Sequence, residues 1–309
     1  MATEYVRHFG MAETPFARNH DPRWLYLSTQ HKEAVVKTRW TIEEHGGLAL
    51  IRGDVGMGKS FLVEYLMTVW PAQFGWRCAK LQNTGTISTP RALLAEVLGA
   101  FGLEVSHSAR DMATRLENWL LEQSYEEEKT VVLFIDEAQS IDSRAMPVLR
   151  DLLNLETRER ILLQIVLAAQ TNIDRKLSYY PALMSRIASV CSLEPLSPED
   201  TDAMLLYRFR RAGCVDPIRL FPAETMQAIY RFSGGVPRDI IVVTEATMKE
   251  AFAKIGHIPS NPNVKVDNPL IAGFLAQTQS TTYFTNEPEM VERAVADLAS
   301  RKSRYADAA

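Results

Sequence analysis

The chemistry of this chain concentrates in eight consecutive residues, Gly53-Asp54-Val55-Gly56-Met57-Gly58-Lys59-Ser60, which match GxxxxGK[ST]. They follow the short apolar run Leu48-Ala49-Leu50-Ile51 and precede a helix-like stretch, FLVEYLMTVW, that begins at Phe61. A strand, a Gly-rich turn and a helix in that order are what a phosphate-binding loop needs. The glycines let backbone N–H groups converge on phosphate oxygens, and the following helix N-terminus adds its partial positive charge. Lys59 would neutralise the β- and γ-phosphates, Ser60 would hold Mg²⁺, and Phe61 is counted with the loop as nucleotide-binding.

A second constellation ends the apolar run Val131-Val132-Leu133-Phe134-Ile135, where Asp136-Glu137 follows at once. An α/β sheet places its ligand beyond the carboxyl ends of its strands, so both carboxylates are expected beside the loop. Asp136 would organise Mg²⁺ through its water shell, and Glu137 would polarise the attacking water as general base. The competing reading is an acidic pair that only caps the next helix. Gln170, at the end of a later strand, is expected to hydrogen-bond the γ-phosphate or the water, although a polar strand end needs no function. Arg186, in ALMSRI, carries a planar guanidinium suited to a neighbouring subunit's γ-phosphate; Arg175 competes for that role, and a surface ion pair is the alternative. Arg238 follows Gly234-Gly235-Val236-Pro237 at the start of a helix and is assigned to coupling a lid to the γ-phosphate, against the plainer reading of a solvated arginine in a capping turn.

The elements that must position these residues alternate between strand and helix. Trp76–Leu81 reads as a second strand, Val131–Ile135 as a strand covered on both faces, and Ile161–Ala169 as the next buried one. Between them, Thr89-Pro90 opens a helix with Leu93, Leu94, Val97, Leu98 and Phe101 on its apolar side. Ser108–Asp111 caps another, which buries Met112, Leu116, Trp119 and Leu120. A further helix is expected from about Asp142 to Leu155. This alternation predicts a doubly wound parallel sheet. From Ser197 the character changes to three helical segments, capped first at Ser197-Pro198-Glu199-Asp200 and continuing through 221–232 and 237–254. Beyond Gly256 the sequence PSNPNVKVDNP reads as a linker, followed by a last amphipathic helix from Asn286 to about Arg304.

Composition narrows the function classes. Of 309 residues 46% are hydrophobic and 23% charged, an ordinary globular balance. The longest apolar stretch, Ile161–Ala169, falls far short of the roughly 20 residues a membrane helix needs, and no secretory signal is legible at the N-terminus, so a cytoplasmic protein without membrane insertion is expected. Cys78, Cys191 and Cys214 are odd in number and widely spaced, which suits neither a disulfide framework nor a zinc site. A net charge of -4 gives no overall attraction to nucleic acid. Any such contact would come from a local patch or from repeated weak contacts in an oligomer, with Lys80, Arg91, Arg110 and Arg115 as candidates.

Together the phosphate loop, acidic pair, strand-end glutamine, candidate arginine finger and helical lid with its own arginine resemble the AAA+ ATPases over about residues 5–255. The resemblance implies a P-loop three-layer parallel-sheet sandwich followed by a small α-helical lid. It also implies ATP and Mg²⁺ as cofactors, ATP hydrolysis to ADP and phosphate, and head-to-tail assembly into a ring or filament. Within that class HFGMAETPFARNHDPRWLYLSTQHKEAV, GDVGMGKS, LFIDEAQ, LLNLET and LLQIVLAAQ are similar to the ExeA-like branch, which serves general secretion and is related to the TnsC and TniB regulators of transposition. The expected organisation is residues 1–45 as an opening segment packing on the nucleotide site, with Phe16, Pro22 and Tyr26 as wall or core residues, then 46–195 as the ATPase core, 196–256 as the lid and 257–309 as linker and helical tail. Secretion members of the branch continue into a membrane helix and a cell-wall-binding domain, whereas this sequence ends in a polar tail. The expectation is therefore a nucleotide-gated regulator on double-stranded DNA that recruits a transposase or target selector. The alternative is an energy-coupling ATPase for secretion or pilus assembly without DNA binding.

Overall fold

The computed structural model describes residues 4–16, 20–81, 84–221 and 223–255, so the expected linker and tail helix beyond 257 lie outside the described residues. The chain divides into two compact units, one of residues 19–194 and one that joins residues 1–18 to those from 195 onward.

A short helix α1 (Glu4–His8) precedes the first unit. That unit then runs α2 (Thr29–Glu43), β1 (Leu48–Gly53), α3 (Lys59–Phe74), β2 (Arg77–Leu81), α4 (Pro90–Ala100), α5 (Ala109–Tyr125) and β3 (Val131–Ile135). It closes with α6 (Met146–Leu153), β4 (Leu163–Ala169), α7 (Ile173–Leu177), α8 (Pro181–Met184) and β5 (Ile187–Leu193). The five strands form one sheet in the order β2-β3-β4-β1-β5, and every pairing is parallel.

Side chains alternate across a strand, so each central strand feeds two cores. Leu48, Leu50, Leu133, Ile135, Ile165 and Leu167 join one cluster with α4, α5 and α6, whereas Phe134 faces Trp70 of α3, their ring centroids 5.7 Å apart. α2 packs on β1 and β5. Helices on both faces explain why β3 and β4 are buried at every residue.

The capping chemistry expected at three helix starts is present: Thr89 accepts from Ala92 N–H, Ser108 from Asp111 N–H and Ser197 from Asp200 N–H. Two boundaries differ from expectation. The helix expected from Asp142 begins at Met146, because Pro147 lacks an N–H and is accommodated only in a first turn; residues 138–140 form a 3₁₀ turn instead. The strand expected from Ile161 begins at Leu163, since Ile161 is spent on an antiparallel bridge to Glu156.

The second unit contains α1, then α9 (Pro198–Arg211), α10 (Pro217–Leu220), α11 (Ala223–Ser233) and α12 (Pro237–Ile255). The opening segment is built into it. Ala12 N–H donates to the Ala212 carbonyl at 2.8 Å, Phe16 meets Phe209 edge-on, and the buried Arg208 guanidinium donates to the Pro15 carbonyl at 2.6 Å. Burial lowers the Arg208 pKa to about 10, which leaves it charged at neutral pH. Residues 1–45, read from sequence as one segment, are thus divided: 1–18 belong with the helices and 19–45 with the sheet. Phe16 is a core residue of the helical unit.

Candidate functional site

β1 delivers the chain into the Gly-rich loop, and glycine is required at its entrance. A Cβ on Gly53 would lie 2.5 Å from the Leu193 carbonyl oxygen of the adjacent β5. Gly56 and Gly58 have φ of 89° and 90°, a region that costs other L-residues roughly 1–2 kcal/mol. Gly58 is also the N-cap of α3, so the loop hands over directly to a helix N-terminus. Lys59 is 5% exposed, and its ammonium donates to the carbonyls of Gly53 at 2.7 Å and Asp54 at 2.9 Å. Ser60 follows in the first turn of α3. Phe61 is half-buried and meets the ring of His20 edge-on at 5.6 Å, while Val55 is exposed at the loop's outer side.

Asp136 and Glu137 leave the end of β3. Asp136 Oδ1 accepts the Glu137 N–H at 2.9 Å, and Lys80 from β2 stands 3.6 Å from Asp136 Oδ2 and 2.6 Å from Glu64 Oε1. Glu137 has φ 50°, ψ 39°, left-handed backbone that a non-glycine residue rarely takes. Its carboxylate accepts from Gln139 Nε2 at 2.6 Å and from Gln170 Nε2 at 3.4 Å. Gln139 is fixed in turn, because its Oε1 accepts the Gln170 N–H at 3.0 Å and its own carbonyl accepts from Lys176 Nζ at 2.9 Å. Burial pushes the Lys176 pKa down, opposed by Asp142.

The end of β4 joins the two constellations. Gln170 reaches Glu137, and the next residue, Thr171, donates from its hydroxyl to Asp54 Oδ1 of the loop at 2.6 Å. The sheet order dictates this, since β4 lies between β3 and β1. Sequence reasoning named Gln170, for the γ-phosphate or the water, and Lys80, for nucleic acid only, but not Gln139, Thr171 or Lys176, whose links are tertiary.

Arg186 lies elsewhere in the unit. It precedes Ile187, the partner of Leu48, whereas the loop leaves after Gly53. Five residues of strand at about 3.3 Å each separate the two ends by roughly 16 Å. Its guanidinium donates to Asn154 Oδ1 at 2.8 Å and approaches Glu156 Oε2 at 3.5 Å. Arg238 belongs to the helical unit and is exposed in the first turn of α12. Its turn is fixed because the Gly235 carbonyl accepts the Leu196 N–H at 2.8 Å and a Cβ at Gly235 would meet the Leu196 carbonyl oxygen at 2.3 Å.

The residues fit a magnesium nucleotide. A Cβ would collide with the Leu193 carbonyl at Gly53 and crowd the His31 ring at Gly58, and a serine hydroxyl with a carboxylate is a hard oxygen donor set. Among the described residues no group of three or more His, Cys, Asp or Glu side chains is placed to hold a metal ion. Burial pushes the Cys78 thiol up to about 12, and Cys191 and Cys214 upward, so none is a ready thiolate.

Residues 42–177 match the family model described as an AAA domain. Over 257 residues the chain is 34% identical to general secretion pathway protein A of Aeromonas hydrophila, covering 82% of this chain and 46% of that protein. It therefore spans about half the length of this curated relative. The Aeropyrum pernix ORC2 protein, in ADPNP–ADP complexes, superposes with a TM-score of 0.58 at 18% identity, covering 85% of this chain and 71% of that one. Cdc6p of Pyrobaculum aerophilum gives 0.58 at 14%, covering 78% and 66%. At such identities the likeness shows the fold, which is that of the P-loop AAA+ ATPases.

Proposed function

With an AAA domain at residues 42–177 as the premise, we propose that this chain binds and hydrolyses Mg²⁺-ATP and couples the cycle to a secretion-type assembly. The observation that supports it best is the junction at the end of β4, where Gln170 and Thr171 bond Glu137 and the phosphate loop respectively. Loop and acidic pair belong to one hydrogen-bonded site.

In this reading the loop N–H groups and Lys59 bind the phosphates. Ser60 and Asp136 hold Mg²⁺, which supplies charge neutralisation on the phosphate oxygens. Glu137 takes a proton from the attacking water, and Gln139 and Gln170 hold its carboxylate in place. Gln170 is the strand-end sensor of the γ-phosphate. Arg186 is too far along the sheet to serve its own loop, which supports a role toward a neighbouring subunit in a head-to-tail oligomer. Arg238 and the helical unit form the lid. ATP supply puts this unit on the cytoplasmic side.

Phosphate-release assays test the chemistry. Lys59→Ala is expected to abolish nucleotide binding, whereas Glu137→Gln keeps binding and loses at least about 100-fold in turnover. Turnover unchanged in Glu137→Gln would remove Glu137 from the mechanism.

The secretion-type reading rests on the 34% identical Aeromonas relative and replaces the DNA-regulator expectation as the favoured one. The expectation built on the polar C-terminus carries no weight, because the chain spans 46% of that relative. Three of the four cations nominated for DNA are also engaged within the chain. Lys80 pairs with Glu64, Arg91 donates to the His107 and Ser106 carbonyls, and Arg115 pairs with Glu104 and Asp111. Duplex-DNA anisotropy with a non-hydrolysable ATP analogue and with ADP separates the readings. No binding in either state is expected; salt-sensitive binding only with the ATP analogue would restore the DNA regulator.

A further inference from the structure

The opening signature of this chain includes His31, which the nucleotide chemistry above leaves unused. It is the third residue of α2 and 3% exposed. Its Nε2 lies 3.2 Å from the Met57 carbonyl oxygen, and its Nδ1 lies 2.7 Å from Ser28 Oγ. A carbonyl oxygen only accepts, so Nε2 carries a proton and donates, while Nδ1 is hydrogen-bonded to the Ser28 hydroxyl. The same Ser28 oxygen caps α2 by accepting the His31 N–H. The ring is thus locked in orientation by the start of its own helix.

Met57 and Gly58 share one peptide unit at the centre of the phosphate loop. A trans peptide is planar, with its C=O and N–H pointing in opposite directions. Holding the Met57 carbonyl on α2 therefore turns the Gly58 N–H away from α2. A Cβ at Gly58 would lie 3.1 Å from His31 Nε2, so the ring also occupies the space that glycine leaves there.

We infer that His31 is a positioning residue for nucleotide binding: by holding the Met57 carbonyl it aims the Gly58 N–H into the phosphate cradle. The inference rests on the loop binding phosphate, as proposed above. A peptide free to flip would spend part of its time presenting a carbonyl oxygen to the phosphate, which repels it. The loss falls on affinity rather than on the chemical step, because the carbonyl that His31 holds belongs to the phosphate loop and not to the Glu137 cluster.

Two variants of similar size separate the donor from the packing. His31→Gln keeps an N–H donor at about the reach of Nε2, and His31→Met fills the space without one. Titration with a fluorescent ATP analogue and steady-state phosphate release are compared in wild type, both variants and Lys59→Ala, with thermal melts to show that each is folded. His31→Met is expected to weaken nucleotide affinity about tenfold and raise KM with a smaller change in kcat, and His31→Gln to stay within about threefold of wild type. His31→Met binding as tightly as wild type, or His31→Gln binding as poorly as His31→Met, overturns the inference while leaving the phosphate-loop reading intact. Wild-type protein that binds no better than Lys59→Ala overturns that reading and the inference together.

Discussion

Gln139 shows how much of the proposed site depends on residues outside the phosphate loop and the acidic pair. It links Glu137 to the backbone of Gln170 and is itself anchored by Lys176. Glu137 is held with φ 50°, so its carboxylate direction depends on these partners as well as on its own rotamer. Replacing Gln139 with Ala is expected to lower kcat about tenfold and leave nucleotide affinity unchanged, since no bond to the loop is lost. A matching fall in affinity would place Gln139 in the binding site rather than behind the carboxylate. Lys59, Ser60, Asp136 and Glu137 were nominated from the sequence because each sits in a contiguous motif. His31 and Gln139 were not. His31 meets Met57 across 26 residues and Gln139 meets Gln170 across 31, and no local pattern encodes such pairings.

The elements divide in the same way. β3 is an uninterrupted apolar run, and α4, α5 and α9 begin at cap residues, so all were readable locally. β5 was missed, because it is an edge strand whose residues are mostly exposed or half-buried and which lacks a continuous apolar run. The end of α2 carries its own pH sensitivity. His45 lies just past the helix in left-handed backbone at φ 52°, and burial with the nearby Arg160 cation lowers its pKa despite a backbone hydrogen bond at Ile161 that raises it. A base whose folded pKa lies below its unfolded one binds fewer protons in the folded state. Stability is then full above the unfolded value near 6.5 and declines as pH falls below it. Urea midpoints measured at pH 7.5, 6.5 and 5.5 should fall with pH, and fall less in His45→Asn, which tolerates the same backbone. Equal declines would assign the sensitivity to other groups, His8 among them, whose pKa burial also lowers.

Across the whole molecule the position of Arg186 makes the proposed head-to-tail assembly testable. It lies at the opening end of the sheet while the loop lies at the closing end. Arg186→Ala is expected to bind nucleotide normally and hydrolyse it poorly, and Glu137→Gln to be equally inactive. Mixed in equal amounts, the two should regain activity, since about one site in four of a randomly assembled head-to-tail oligomer would pair an intact Glu137 with an intact Arg186. No recovery would assign Arg186 to its ion pair with Glu156 alone. The division of the chain has a consequence of another kind, in time. Residues 4–16 are made before the partners they bond to: Pro15 waits 193 residues for Arg208 and Tyr5 waits 240 for Glu245. At about 5–20 residues per second that is roughly 10–50 s in which Tyr5, Val6, Phe9, Met11 and Phe16 have no core to enter. The sheet unit can close during that interval, so a stretch made before the sheet folds after it, and nascent-chain chaperones have a long opportunity on these residues.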